Sequence, residues 1–106
     1  MKLSILQKYI LLQSFDSKSK LDRKVLLGFY GSLKKKPRRE IMVNSITNSI
    51  ERLIKKGLVV GFGEITRDKI FINKIRLTRE GSSVAKKALG EQKRLPFKLK
   101  TNKPIN

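Results

Sequence analysis

The chain has 106 residues, which suffices for one small domain with a single hydrophobic core. Lys and Arg total 26 against 8 Asp and Glu, so the formal net charge is +18, and a polyanionic partner is the natural explanation for so much self-repulsion. The sequence contains neither Cys nor His, which excludes disulfides and thiolate metal sites and removes the usual general base of enzymes.

The first predicted element is a helix over residues 3–15, with the sequence LSILQKYILLQSF. Its apolar residues cover most of the helix circumference rather than one face. Such a helix is either central in its own domain or shared with a partner chain. Both interpretations are open from the sequence, and the second predicts a homodimer formed through this helix.

A second helix is predicted over residues 21–33, LDRKVLLGFYGSL. Leu21, Val25 and Phe29 follow one another there at helical spacing. Two glycines oppose this prediction, since each costs roughly 1 kcal/mol in a helix interior relative to Ala. A buried strand through VLLGFY is the alternative.

A basic connector, KKKPRR, occupies residues 34–39 with five positive charges in six positions. Pro37 bars a helix interior, so this segment is a connector or a helix start. A solvated loop is the usual interpretation of such a run. Next to the following helix, however, the connector lies where a phosphate backbone can run.

The third predicted helix spans residues 44–56 within the run SITNSIERLIKKG. Its apolar stripe consists of Ile46, Ile50, Leu53 and Ile54. The helical phase breaks near residue 42, so we expect the helix to begin at Asn44 or Ser45, both of which are good N-cap residues. Gly57 fits the position just after the helix, where a left-handed backbone is common.

Residues 58–77 are expected to form a β-hairpin, with strands at 58–66 and 69–77 around a short polar turn. The side chains expected on the buried face are Leu58, Val60, Phe62, Phe71, Ile75 and Leu77. Lys74 and Arg76 point the other way and give the hairpin a cationic outer face. Gly61 and Gly63 indicate a bulge or a bend.

A last helix is expected to begin after Thr78 as its N-cap and to end at Gly90. The residues expected on its inner side are Val84, Ala85, Ala88 and Leu89. The remaining segment carries five positive charges and two prolines without periodicity. We therefore divide the chain into a single domain at 1–92 and a basic, flexible tail at 93–106.

The run SITNSIERLIKKGLVV, followed by a hairpin and IRLTREG, resembles the winged helix-turn-helix domain of MarR-type regulators and of small basic archaeal winged-helix proteins. The resemblance covers about residues 21–90. It implies an α+β fold with a three-helix core, a two-stranded β-hairpin wing and a C-terminal helix. It also implies that helix 44–56 is the recognition helix and hairpin 58–77 the wing. No equivalent of the family's first strand is visible in the sequence.

A helix of this kind fits the major groove of duplex DNA and presents side chains to the base edges. Asn48 and Arg52 suit base recognition, because Asn binds adenine and Arg binds guanine in a bidentate manner, and Ser45 accompanies them. The other candidate contacts to nucleic acid are Lys35, Lys36, Arg38, Arg39, Thr47, Ser49, Lys55, Arg67 and Lys69.

The function predicted from these features is that of a sequence-specific transcriptional regulator that binds double-stranded DNA in the cytoplasm. Two alternatives are open. An RNA-binding or ribosome-associated protein fits the very high positive charge, and an architectural chromatin protein binds DNA without sequence preference. These alternatives differ in the nucleic acid they prefer and in whether its sequence matters.

Catalysis and membrane association are not expected. The carboxylates are scattered, and no phosphate-binding loop or nucleophile motif is present, so no catalytic residue, metal ligand or cofactor is assigned. The longest apolar runs fall far short of the roughly 20 residues that a membrane-spanning helix requires. Gln and Lys interrupt the apolar N-terminal stretch, which argues against a signal peptide.

Overall fold

The computed structural model describes residues 2–17, 20–31, 33–68 and 70–90. In chain order these form helix α1 (Ile5–Asp16), strand β1 (Leu21–Asp22), a 3₁₀ helix (Arg23–Tyr30), helix α2 (Arg39–Lys55), strands β2 (Val59–Ile65) and β3 (Ile70–Leu77), and helix α3 (Arg79–Leu89). The predicted tail at 93–106 lies outside the described residues, so the division of the chain stays a prediction.

Helix α1 occupies the centre of the domain. A capping box starts it: the Ser4 hydroxyl accepts from the Gln7 N–H at 3.1 Å, and the Gln7 side chain accepts from the Ser4 N–H at 3.0 Å. Ile10, Leu11 and Leu12 are fully buried, because α2, α3, the 3₁₀ helix and β3 surround this helix. Its apolar circumference is therefore used within its own domain, and the homodimer stays a prediction.

The segment predicted as a helix over 21–33 divides into a strand and a 3₁₀ helix. Its first two residues pair antiparallel with Ile75 and Lys74, so the sheet has three strands in the order β1–β3–β2 and not the two predicted. The Asp22 carboxylate then caps the 3₁₀ helix by accepting from the Lys24 N–H at 2.9 Å. A strand of two residues is too short to show an alternating pattern in the sequence.

Helix α2 begins at Arg39, so the predicted start at Asn44 or Ser45 was wrong. The N-cap is Arg38, whose side chain makes no capping hydrogen bond. The phase argument failed because the first turn of α2 projects beyond the core. Ile41 is 53% exposed there, so an apolar residue on the polar side did not mark the end of the helix.

The far end of α2 forms a Schellman turn, as the position of Gly57 predicted. The Gly57 N–H donates to the Ile54 carbonyl at 2.9 Å, and the Leu58 N–H donates to the Leu53 carbonyl at 3.0 Å. Gly57 has a φ of 74°, which lies in the left-handed region. The predicted stripe is also confirmed, since Ile46, Ile50 and Leu53 are buried and Ile54 is half-buried.

Strands β2 and β3 pair antiparallel and confirm the predicted hairpin. They also confirm a bulge near the two glycines of β2. Phe62 lies opposite Lys74, whereas Gly63 lies opposite Ile72, so Asn73 is an extra residue in β3.

Leu58 is buried, as predicted, but the predicted faces of β2 itself were wrong. Leu58 belongs to the turn after α2, so the strand begins at Val59, which is buried, while Val60 is exposed. Phe62 consequently lies on the outer face, where the Lys20 ammonium is 4.1 Å and the Arg76 guanidinium carbon 5.8 Å from its ring centroid. The cationic outer face is confirmed, but it contains an aromatic ring.

The bulge changes the faces of β3 as well. Ile75 is buried and Leu77 packs against the core, as predicted. On the other side of Asn73 the alternation is inverted, so Phe71 is 50% exposed and Ile72 packs against the core in its place. The predicted burial of Phe71 was therefore wrong.

Helix α3 begins and ends as predicted. The Thr78 hydroxyl accepts from the Gly81 N–H at 3.0 Å, and Gly90 is the C-cap. Ala85 and Ala88 face the core, whereas Leu89 is exposed, contrary to the prediction.

The first turn of α3 contacts the turn that follows α2. A Cβ atom added to Gly81 would lie 1.8 Å from the Leu58 carbonyl oxygen, so only glycine allows this approach. The Thr78 hydroxyl also donates to the Gly57 carbonyl at 2.6 Å, and the Thr78 N–H donates to the Leu58 carbonyl at 3.0 Å.

We expect Gly57→Ala to lower the free energy of unfolding by about 1 kcal/mol, because an L-residue is strained in the left-handed region. The added methyl group itself meets nothing closer than 3.7 Å. Gly90→Ala is the matched control, since this C-cap has a φ of −64° and the new Cβ would make an ordinary 3.4 Å contact. Urea denaturation of both variants measures the difference, and equal midpoints would contradict the role of Gly57.

Candidate nucleic-acid interface

The 3₁₀ helix and α2 form a helix-turn-helix around a basic turn. Lys34, Lys35, Lys36 and Arg38 are exposed in this turn, and Arg39 is exposed in the first turn of α2. The candidates of the predicted connector therefore all face solvent at the N-terminal end of α2. The positive end of the helix dipole lies at the same place and adds to their attraction for anions.

One side of α2 presents mixed polar chemistry to solvent. Asn48, Arg52 and Lys55, which were predicted to contact nucleic acid, are exposed here together with Asn44, while Ser45 is half-buried at the margin. The spacing of the helix places Ile41, Asn44, Ser45, Asn48 and Arg52 on one side, and we call these five residues the outer face of α2. Ser49 is half-buried beyond its edge.

Two members of the outer face were absent from the predicted contacts. Asn44 was interpreted as a cap, although its place on the polar side of the helix was visible in the sequence. Ile41 was left outside the helix, because the predicted start came too late. A helix start at the residues after Pro37 would have included both.

Arg23 connects three elements beneath this face. Its guanidinium donates from Nη2 to the Val43 carbonyl at 3.2 Å and to the Thr47 hydroxyl at 2.6 Å, and from Nη1 to the Ile72 carbonyl at 3.3 Å. Burial lowers the pKa of Arg23, and the adjacent Asp22 carboxylate opposes this shift. The start of the 3₁₀ helix is thereby fixed to both α2 and β3.

No sequence pattern distinguishes Arg23 from the other basic residues. Its three acceptors come from α2 and β3, far away along the chain. Thr47, predicted to contact phosphate, has its hydroxyl engaged in this network. Thr47 therefore has a structural role in the domain, although it lies at the margin of the outer face.

A cleft of about 750 Å³ separates α2 from the tip of the hairpin. Its walls include Asn44, Thr47 and Glu51 from α2, and Arg67, Asp68 and Phe71 from the hairpin. Arg67, a predicted contact, is thus close to the outer face of α2, whereas Lys69 lies outside the described residues. Because Glu51 and Asp68 line the cleft as well as Arg23 and Arg67, its charge is mixed.

Two other kinds of site have no counterpart among the described residues. These residues include no group of three or more Asp, Glu, Cys or His side chains placed to bind a metal ion. In the same part of the chain no helix has the length and hydrophobicity needed to cross a membrane. The expected lack of catalytic and cofactor-binding residues stays a prediction.

We expect Arg23→Met to lower the free energy of unfolding by about 1–2 kcal/mol, because it removes three charge-assisted hydrogen bonds at a half-buried site. Methionine keeps most of the aliphatic stem, so the loss reports on the guanidinium. Lys24→Met is the control, since Lys24 is the exposed neighbour. Chemical denaturation compares them, and an equal loss in both variants would show that the network contributes nothing.

The fold is similar to that in the crystal structure of the adhesin competence repressor AdcR from Streptococcus pyogenes. The TM-score is 0.56 and the sequence identity 18%; the match covers 87% of this chain and 59% of that repressor, so the chain spans about three fifths of its length. No family model matches the sequence, and no curated protein matches it significantly. Together with the order of the elements, this likeness confirms the predicted α+β winged helix-turn-helix fold.

Proposed function

We propose that the protein is a transcriptional regulator that binds double-stranded DNA sequence-specifically. Helix α2 enters the major groove, and the β2–β3 hairpin acts as the wing. The observation that carries this proposal is the outer face of α2, where amide and guanidinium side chains are exposed directly after a basic turn. The likeness to a repressor supports it through the fold.

The dimensions of α2 suit the major groove. Its 17 residues give a length of about 25 Å, and a helix about 10–12 Å wide fits a groove of about 12 Å. The first turn projects beyond the core, as the exposure of Ile41 shows. The first turn of α2 is therefore accessible to the base edges of a groove.

The exposed residues divide into two roles. Asn48 and Arg52 are proposed to bind base edges, with Ser45 beside them. The residues proposed to contact phosphates are Lys35, Lys36, Arg38, Arg39, Thr47, Ser49, Lys55, Arg67 and Lys69. Lys55 lies in the last turn of α2 and Arg67 at the wing tip, so the phosphate contacts flank the base contacts on both sides.

RNA binding is the second candidate, and the spread of positive charge favours it. Lys74 and Arg76 are exposed on the outer face of the sheet, and Lys86 and Lys87 on α3. None of these four residues belongs to α2 or to the tip of the hairpin, so exposed cations are not confined to the elements proposed to contact DNA. An RNA or a ribosomal particle that surrounds the domain would use them.

Selection of bound molecules from random pools of duplex DNA and of structured RNA separates the two candidates. We expect a preferred duplex that binds about 10³-fold more tightly than random duplex at physiological salt. Enrichment of structured RNA instead would favour the second candidate. Equal binding to all duplexes would remove sequence-specific regulation and leave an architectural role.

The two roles predict different effects of substitution. Asn48→Ala and Arg52→Ala should each reduce the preference for the selected duplex over random duplex by about 1–3 kcal/mol. Lys36→Ala should weaken binding to all duplexes alike and reduce the salt slope by about 1. Fluorescence anisotropy titrations at several salt concentrations measure both quantities.

Lys87→Ala is the control for these titrations. This lysine is exposed on α3, which does not contribute to the proposed contacts. Its substitution should therefore leave the preference unchanged and affect the salt slope less than Lys36→Ala. Equal, sequence-independent losses in all four variants would contradict base recognition by α2.

A further inference from the structure

Ile41 is a large aliphatic side chain in an otherwise polar and basic region. It is 53% exposed in the first turn of α2 and does not belong to the apolar residues that pack against the core. Its neighbour Met42 is half-buried and packs there. The fold therefore does not account for an aliphatic residue at position 41.

A single exposed apolar residue is common on protein surfaces and needs no explanation by itself. Its position makes this one informative. Ile41 shares the outer face of α2 with Asn44 and Asn48, and the basic segment at 34–39 ends two residues before it. A side chain at this position meets whatever α2 is inserted into.

The major groove offers few partners to an aliphatic side chain. The base edges present hydrogen-bond donors and acceptors there, and the one large apolar group is the C5-methyl group of thymine. Phosphate oxygens are charged, so Ile41 gains nothing from them. We propose that Ile41 contacts a thymine methyl group and makes the protein select an A·T pair at that position.

The neighbouring amides fit this assignment. Asn binds adenine through the same groove, and adenine is the partner of the thymine that Ile41 would contact. Arg52 lies 11 residues further along α2, or about 16 Å. The selected thymine therefore lies within about five base pairs of the guanine proposed for Arg52.

This inference rests on the proposed binding of duplex DNA by α2, and uracil substitution tests it. In the duplex recovered by selection, each thymine is replaced in turn by deoxyuridine, which removes only the methyl group. We expect the affinity of the unaltered protein to fall about fourfold at one or two positions, the value for burial of one methyl group. Ile41→Ala should bind the thymine and uracil duplexes equally at those positions.

Ile5→Ala is the matched control. It makes the same change in the first turn of α1, where the isoleucine is 50% exposed, so its sensitivity to uracil should equal that of the unaltered protein. The uracil scan of the unaltered protein requires no variant and does not depend on whether Ile41→Ala folds.

The possible results separate this inference from the function on which it rests. Two results overturn the role of Ile41 and leave base recognition intact. In the first, the affinity for the preferred duplex is unchanged by uracil at every position. In the second, uracil lowers the affinity of Ile41→Ala as much as that of the unaltered protein. A preferred duplex without thymine near the guanine does the same. A pool without any preferred duplex overturns the proposed function, and the inference with it.

Discussion

The orientation of α2 relative to the hairpin depends on the turn between them. The left-handed backbone of Gly57 reverses the chain, and the two Schellman hydrogen bonds hold the reversal in place. Thr78 donates to the carbonyls of Gly57 and Leu58 from the far end of the hairpin, and Gly81 allows α3 to pack directly on this backbone. The same few peptide groups thus connect α2, both ends of the hairpin and α3, so this turn determines how α2 and the hairpin are placed relative to each other.

Arg23 fixes the other side of the cleft. Here a charged side chain is used for structure, since its guanidinium bonds to backbone carbonyls of α2 and β3. The exposed Lys and Arg residues around Arg23 differ from it, because their charged groups are in contact with solvent. The domain therefore uses one basic residue to hold the helix-turn-helix against the sheet, whereas the exposed ones keep their charges in solvent, a division that net charge alone does not reveal.

Features with a local cause were predictable from the sequence. Gly57, Thr78 and Gly90 end or begin helices through contacts within a few residues, and each was assigned correctly. Strand β1 and the network of Arg23 depend on partners distant in the chain, which no local pattern records. The start of α2 was misplaced because periodicity reports contact with the core, and Arg39, Glu40 and Ile41 in its first turn are exposed. The same error left Ile41 out of the candidate interface. A side chain that faces solvent contributes nothing to the core-facing periodicity from which the helix was predicted.

The extra residue in β3 separates the base of the hairpin from its tip. At the base of the hairpin, on the C-terminal side of Asn73, Ile75 pairs with β1 and is buried in the core. Toward the tip, the bulge takes up Asn73, so Ile72 packs against the core and Phe71 is exposed, whereas a regular ladder through Asn73 would place these two side chains on the opposite faces. Deletion of Asn73 would bring Ile72 next to Lys74 and leave the other residues of the strand on their present faces. The hairpin can therefore gain or lose one residue here during evolution with only a local change, because the packing of the core is the same in both forms.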